Sequence, residues 1–316
     1  MSIGMNVKIS AKDKNEIKKL SEHENAIEKI ANSFAPGILG LEDVKKSIVL
    51  QMFGSDRGGI HILLVGDPGT RTIELVKAAA EIHPNPNVVY NLNNDYAIDM
   101  GLEDELACIY ELGREENADA MRMLESLRHD KIKTSILAAT APTFGRYDPY
   151  LPMSCQVNFY SHVIPLFDLK FGLRDLPDKD RDDETAKRFL NSEKIEMEKE
   201  IENNLMKKYL SYARRHIHPK LNDAAKDKLR EFFVGLRSKF SSEDQIPLHF
   251  GQLVSLAKLT EAAARCRLDN VANKDDALTA IGVMKASLRQ FGFDPETGKI
   301  DIDRAEGRKN EKQNQI

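Results

Sequence analysis

The sequence lacks an apolar run long enough to cross a bilayer. Its longest stretch, IHILLVG at 60–66, falls far short of the roughly 20 residues that a membrane-spanning helix needs. The N-terminus, MSIGMNVKISAKDKNEIKKL, has no apolar signal core and too much acid for a transit peptide. The expected location is therefore the cytoplasm, with no membrane partner. An excess of basic charge is missing too: Lys+Arg number 46 against Asp+Glu 50, a net charge of -4, so any nucleic-acid contact needs a local patch. The 3 cysteines, Cys108, Cys155 and Cys266, are odd in number and widely spaced, which argues against a disulfide framework and for reduced thiols. Cys108 lies in an apolar run and is expected in the core. There are no repeats, no low-complexity linker, no HExxH, no cysteine pair and no nucleophile elbow. No metal site is expected.

What is present suits a folded chain. With 316 residues, 41% of them hydrophobic, it can form one large or two modest domains. Ile17, Leu20, Ile27, Ile30 and Ala31 mark an amphipathic leading helix or helix pair. Pro36 and Gly37 break the chain, and helical periodicity resumes over 41–53. Strand-like runs at 60–65, 87–92, 105–110 and 133–140 alternate with helical segments, the pattern of a covered, largely parallel sheet. From about 184 the pattern turns helical, over 184–213, 222–239, 247–267 and 274–291. The reading is a helical extension (1–33), an α/β base (34–190), an all-α lid (191–291) and a polar tail (292–316) that is largely disordered.

One stretch suggests chemistry. VGDPGTRTIELV, at 65–76, sits between an apolar strand and a helix, the setting in which backbone N–H groups converge on phosphate. Gly66, Asp67, Pro68, Gly69 and Thr70 retain the turn. The positions that would hold a phosphate-pairing lysine and a Mg²⁺-binding Ser/Thr hold Thr72 and Ile73. By itself such a turn is more often ligand-free than a site. Arg71 stands one residue early, about 100° round a helix, awkwardly placed to replace the lysine.

Longer stretches place this turn in a frame. APGILGLEDVKKSIVLQMFG (35–54), HILLVGDPGT (61–70), TSILAATAPTFGRYDPY (134–150), LFDLKFGLRDLPDKDRDDE (166–184), KKYLSYARRHIHPKL (207–221) and SLRQFGFDPETGKIDID (287–303) resemble the AAA+ core of the minichromosome maintenance (MCM) replicative helicases, in particular an archaeal member. The likeness runs from about residue 20 to 304. It implies an AAA+ P-loop NTPase-like α/β base with a parallel sheet, followed by an all-α lid domain.

The resemblance also assigns positions, and most have lost their chemistry. Tyr110 stands where the family has a metal-binding Asp, and Glu111 matches the residue that polarises the attacking water. Thr140 replaces a phosphate-sensing Asn, Leu166 an arginine finger, and Gly251 the arginine of the lid. Ile38 and Gly40 lie in the backbone expected beside an adenine. The channel hairpins of the family look deleted, and its N-terminal OB-fold and zinc domain and its C-terminal winged helix find no counterpart. These losses together leave no expectation of ATP hydrolysis; ATP or ADP is expected to bind weakly or not at all, and no cofactor is required. The expectation is a catalytically inactive interaction protein of DNA replication that associates with an active MCM paralogue or other replication proteins, placing it at the nucleoid. The alternative is an ATP- and DNA-binding subunit of a helicase ring, with hydrolysis supplied by its neighbours. DNA contact, expected to be weak, would fall to Lys207, Lys208, Arg214 and Arg215, whereas His216 and His218 read as surface groups. The sequence leaves the oligomeric state open.

Overall fold

The computed structural model describes residues 7–89, 106–110, 112, 134–148, 150–151, 155–159, 161–190, 201–238, 250–290, 293–295 and 299–300. The leading segment forms two helices, α1 (Ala11–Ser21) and α2 (Ala26–Ser33). Ser10 starts α1 through a capping box: its hydroxyl accepts from Asp13 N while the Asp13 carboxylate accepts from Ser10 N. Helix α3 (Glu42–Phe53) follows.

Five parallel strands come next: β1 (His61–Gly66), β2 (Pro86–Val89), β3 (Leu106–Ile109), β4 (Ser135–Thr140) and β5 (Leu169–Leu173). Their order is β2-β3-β4-β1-β5, and α4 (Thr72–Ile82) makes the crossover from β1 to β2. Every residue of β1, β3 and β4 is buried, as expected for parallel strands covered on both faces. Alternation splits the core in two: Ile62 and Leu64 face the larger cluster, with α3, α4 and the later helices, whereas Leu63 and Val65 face a smaller one with Tyr147, Val163 and Phe167.

The strand β5 gives no clear apolar run because Lys170 and Gly172 interrupt it. Gly172 is required by packing: a side chain there would run into the ring of Tyr147. Beyond β5 lie α5 (Lys179–Leu190), α6 (Asn203–His216), α7 (Asp223–Arg237), α8 (Gly251–Cys266) and α9 (Lys274–Gln290). Short parallel strands β6 (Lys220–Leu221) and β7 (Val271–Ala272) join the later helices, and β8 (Phe293–Asp294) pairs antiparallel with β9 (Lys299–Ile300). Among the described residues, no helix is long and apolar enough to cross a membrane.

The helices after α5 share the larger core with the sheet, and α8 and α9 are also fastened to it by polar groups. One face of α8 carries Ser255, Lys258, Glu261 and Arg265, spaced to align along a helix. Ser255 and Lys258 reach Asp168, and Lys258 also donates to Gly59 O at 2.7 Å. The Glu261 carboxylate accepts from Ser55 Oγ and from Arg57 Nε, at 2.7 and 2.6 Å. Arg265 donates to Phe53 O, Ile217 O and the Asp56 carboxylate. On α9, Ser287 Oγ accepts from Lys170 N and donates to Lys170 O, so a side chain closes the outer edge of β5 in place of a sixth strand.

Candidate nucleotide site

The phosphate-loop sequence forms the turn from β1 into α4. At Gly66 a side chain would collide with Thr70 and Thr72, and Gly69, at φ +102°, would drive one into the Asp175 carboxylate. Thr70 closes the turn through its own N–H and hydroxyl, which both donate to Asp67 O, at 3.1 and 2.7 Å.

Asp67 provides an anion of the chain's own. Its buried carboxylate accepts from Tyr147 N at 2.5 Å and from Asp175 N at 3.1 Å, while its N–H donates to Leu173 O at 2.9 Å. One residue thus joins the C-terminal ends of β1, β4 and β5, and two backbone donors from neighbouring loops are satisfied by protein oxygen.

The altered positions are built into this packing. Thr72 is 8% exposed and presses back on Gly66, while Ile73 packs against the larger core. Arg71 has the left-handed φ of 58°, and its Nη1 donates to Gly37 O at 2.7 Å, so its charge points to the segment before α3. That segment is the expected adenine side. Ile38 is buried, its carbonyl accepts from Lys45 Nζ at 2.6 Å, and Gly40 adopts φ +72°. Tyr110 is buried in the larger core, and Thr140 donates to Leu112 O at 2.7 Å. Glu111 lies outside the described residues, as do the places of the channel hairpins.

Leu166 and Gly251 are brought together, but away from this turn. They line one cavity of about 290 Å³ with His61, at the N-terminal end of β1. Gly66 is at the other end of that strand, about 16 Å away at the rise of a β-strand. Arginines at those two positions would therefore face away from this chain's own phosphate loop. Sequence reasoning gave no sign of His61, Asp168 and Lys258, which also line the cavity, or of the role of Asp67. All four depend on partners far away in the chain.

Other candidates also have local explanations. His218 Nδ1 lies 3.2 Å from Asp56 Oδ2, and the His216 ring lies 4.8 Å from that of Tyr212. Lys208 pairs with Asp13 at 2.9 Å, and Arg214 donates to Met52 O at 2.9 Å. Cys108 and Cys266 are buried, whereas Cys155 is exposed. Burial pushes the Cys108 thiol up to about 12, leaving it inert at neutral pH.

Comparison with known proteins adds ancestry to this geometry. The family model for the MCM P-loop domain matches residues 13–101 and 106–193, and that for the MCM AAA-lid domain matches residues 204–288. The minichromosome maintenance protein MCM of Saccharolobus solfataricus is 29% identical, over 93% of this chain and 49% of its own length. The DNA replication licensing factor MCM4 of Arabidopsis thaliana is 30% identical, over 90% of this chain and 40% of its own length. An uncharacterized MCM-type protein of Methanocaldococcus jannaschii is 26% identical, over 98% of this chain and 48% of its own length. The chain thus spans about half, or less, of the length of these relatives.

Proposed function

Because the chain belongs to the MCM family, and because Thr72 and Ile73 stand in its phosphate turn where a lysine and a Ser/Thr would be needed, we propose that it is a catalytically inactive MCM core that acts through protein contacts in DNA replication, binding an active MCM helicase. In this reading residues 34–190 form the base, 191–291 the lid, and Gly66–Thr70 a phosphate turn kept for its fold. One observation carries the reading: Thr72 and Ile73, at the lysine and Mg²⁺ positions, are packed into the protein, and Arg71 is engaged with Gly37. Each lost charge-assisted hydrogen bond removes about 1.5–3 kcal/mol of binding, and a missing arginine finger lowers a hydrolysis rate by about 10³- to 10⁵-fold. Weak nucleotide binding and no turnover follow.

The test has two parts. ATP hydrolysis by the purified chain should match the buffer blank, and turnover abolished by Glu111→Gln would overturn the inactive reading. Tagged protein drawn from its own cells should then retain an MCM subunit with or without ATP. Micromolar ATP affinity lost in Gly69→Val would instead favour a nucleotide-binding ring subunit.

A further inference from the structure

The last turns of α7 and the first turn of α8 share an apolar surface with an arginine in it. Phe250, Val234 and Val254 are 69%, 59% and 49% exposed. The Arg237 guanidinium lies 5.4 Å from the ring centre of Phe250 and 5.7 Å from that of buried Phe233, and the two rings are 5.6 Å apart. Val234 stands one turn before Arg237 on α7, and Val254 one turn after Phe250, whose carbonyl accepts from Val254 N at 3.3 Å. Single exposed apolar side chains are ordinary, but a contiguous group of them marks a surface that meets something.

The charges of α7 set Arg237 apart. Asp223 pairs with Lys226, Asp227 with Arg230 and Glu231 with Lys228, each within the helix. Arg237 has no carboxylate partner among the described residues, and its charge rests on the two rings. A guanidinium that stacks through its face keeps its in-plane fork of N–H donors, and a carboxylate fits that fork with both oxygens. Nucleic acid would call for several cations along one face, whereas the other cations of α7 are already offset by acid. Aromatic and aliphatic groups around an arginine are the composition of the centre of a protein interface.

We propose that this surface docks an acidic, apolar segment of a partner protein, its carboxylate on the Arg237 fork and its aliphatic side chains against Phe250, Val234 and Val254. Such docking rests on the reading that the chain acts through protein contacts, and it gives one of those contacts a place and a chemistry.

The chain contains no tryptophan, so the emission of a tryptophan-bearing peptide reports its binding directly. The full chain would be titrated with acetyl-Leu-Glu-Trp-Leu-amide and with its counterparts carrying glutamine, lysine or phosphoserine in place of glutamate. Saturable, submillimolar binding of the glutamate peptide is expected, about tenfold tighter than that of the glutamine peptide, which loses the charge-assisted part of the bond. Arg237→Glu should release the glutamate peptide and take up the lysine one, a gain that requires a folded variant; if it unfolds, Arg237→Gln should erase the preference for glutamate over glutamine. Phe250→Ser, at a mostly exposed position, should weaken the glutamate peptide severalfold. No saturable binding, equal binding of the glutamate and glutamine peptides, or a preference that survives the Arg237 variants would overturn the assignment. Tighter binding of the phosphoserine peptide would make the partner a phosphopeptide, and self-association abolished by Phe250→Ser would make it a second copy of the chain; each overturns the assignment equally. An MCM subunit retained from cells by wild type and Arg237→Glu alike, with the peptides failing, would remove this surface and leave the proposed function, whereas peptide binding with no MCM subunit retained would do the reverse.

Discussion

The two ends of strand β1 differ in what occupies them. The end that carries the phosphate-loop sequence is lined with acid and filled: Asp67 supplies the anion, the Asp175 carboxylate stands against Gly69, and Thr72 closes the space beside Gly66. The other end, where Leu166 and Gly251 meet, has a cavity lined by a histidine and a lysine. At the phosphate-loop end a buried carboxylate thus ties two neighbouring loops to β1. The lid junction uses the same device, binding loop carbonyls and carboxylates with Lys258, Glu261 and Arg265.

The lid end should carry more of the stability. Arg265→Ala strands the Phe53 and Ile217 carbonyls and removes a buried side chain, and should cost about 3 kcal/mol. Asp67→Ala, at the phosphate-loop end, leaves the Tyr147 and Asp175 N–H groups unmet and should cost about 2 kcal/mol. Urea unfolding of both variants in one buffer measures the comparison, and a larger loss for Asp67→Ala would reverse it.

Acid should weaken the same end. Burial lowers the pKa of His61 to about 4 from an unfolded value of 6.5, so below pH 6.5 the unfolded chain takes up a proton that the folded chain refuses. Stability therefore falls as pH drops from 6.5 towards 4, by about 3 kcal/mol from this residue alone. Buried His83, at the C-terminal end of α4, is lowered in the same direction for the same main reason. Urea midpoints at stepped pH test this, and a flat profile between pH 6.5 and 4.5 would count against the buried, neutral imidazole.

The smallest effect should have the opposite sign. Arg71 holds a left-handed conformation that costs a non-glycine residue about 1 kcal/mol, and its bond to Gly37 is exposed. Arg71→Gly should leave the melting temperature unchanged or raise it slightly. A clear drop would mean that the tie to Gly37 contributes more than the strain costs.

Much of the fold was legible. The apolar runs that became β1, β3 and β4 were visible because parallel strands are buried on both faces, and α3, α7, α8 and α9 followed from helical periodicity. The strand β5 was hidden because Lys170 and Gly172 interrupt its apolar run, and their reasons lie far off in the chain: Ser287 bonds the Lys170 backbone, and the Tyr147 ring leaves no room for a side chain at 172. The candidate site was legible in part. Thr72, Ile73, Tyr110, Leu166 and Gly251 could be named from the sequence as candidate positions, but not that the last two lie together at the far end of β1.

The sequence by itself determined the family, the alternation of strand and helix, and the absence of a lysine from the phosphate turn, because each depends on local residue types and their spacing. Only the tertiary structure decided which contacts these residues make. Asp67 meets Tyr147 and Asp175, Arg71 meets Gly37, and His61 faces a cavity shared with Leu166 and Gly251. These contacts join residues far apart in the chain, and hydrogen bonds act over about 3 Å in space, whatever the distance in sequence.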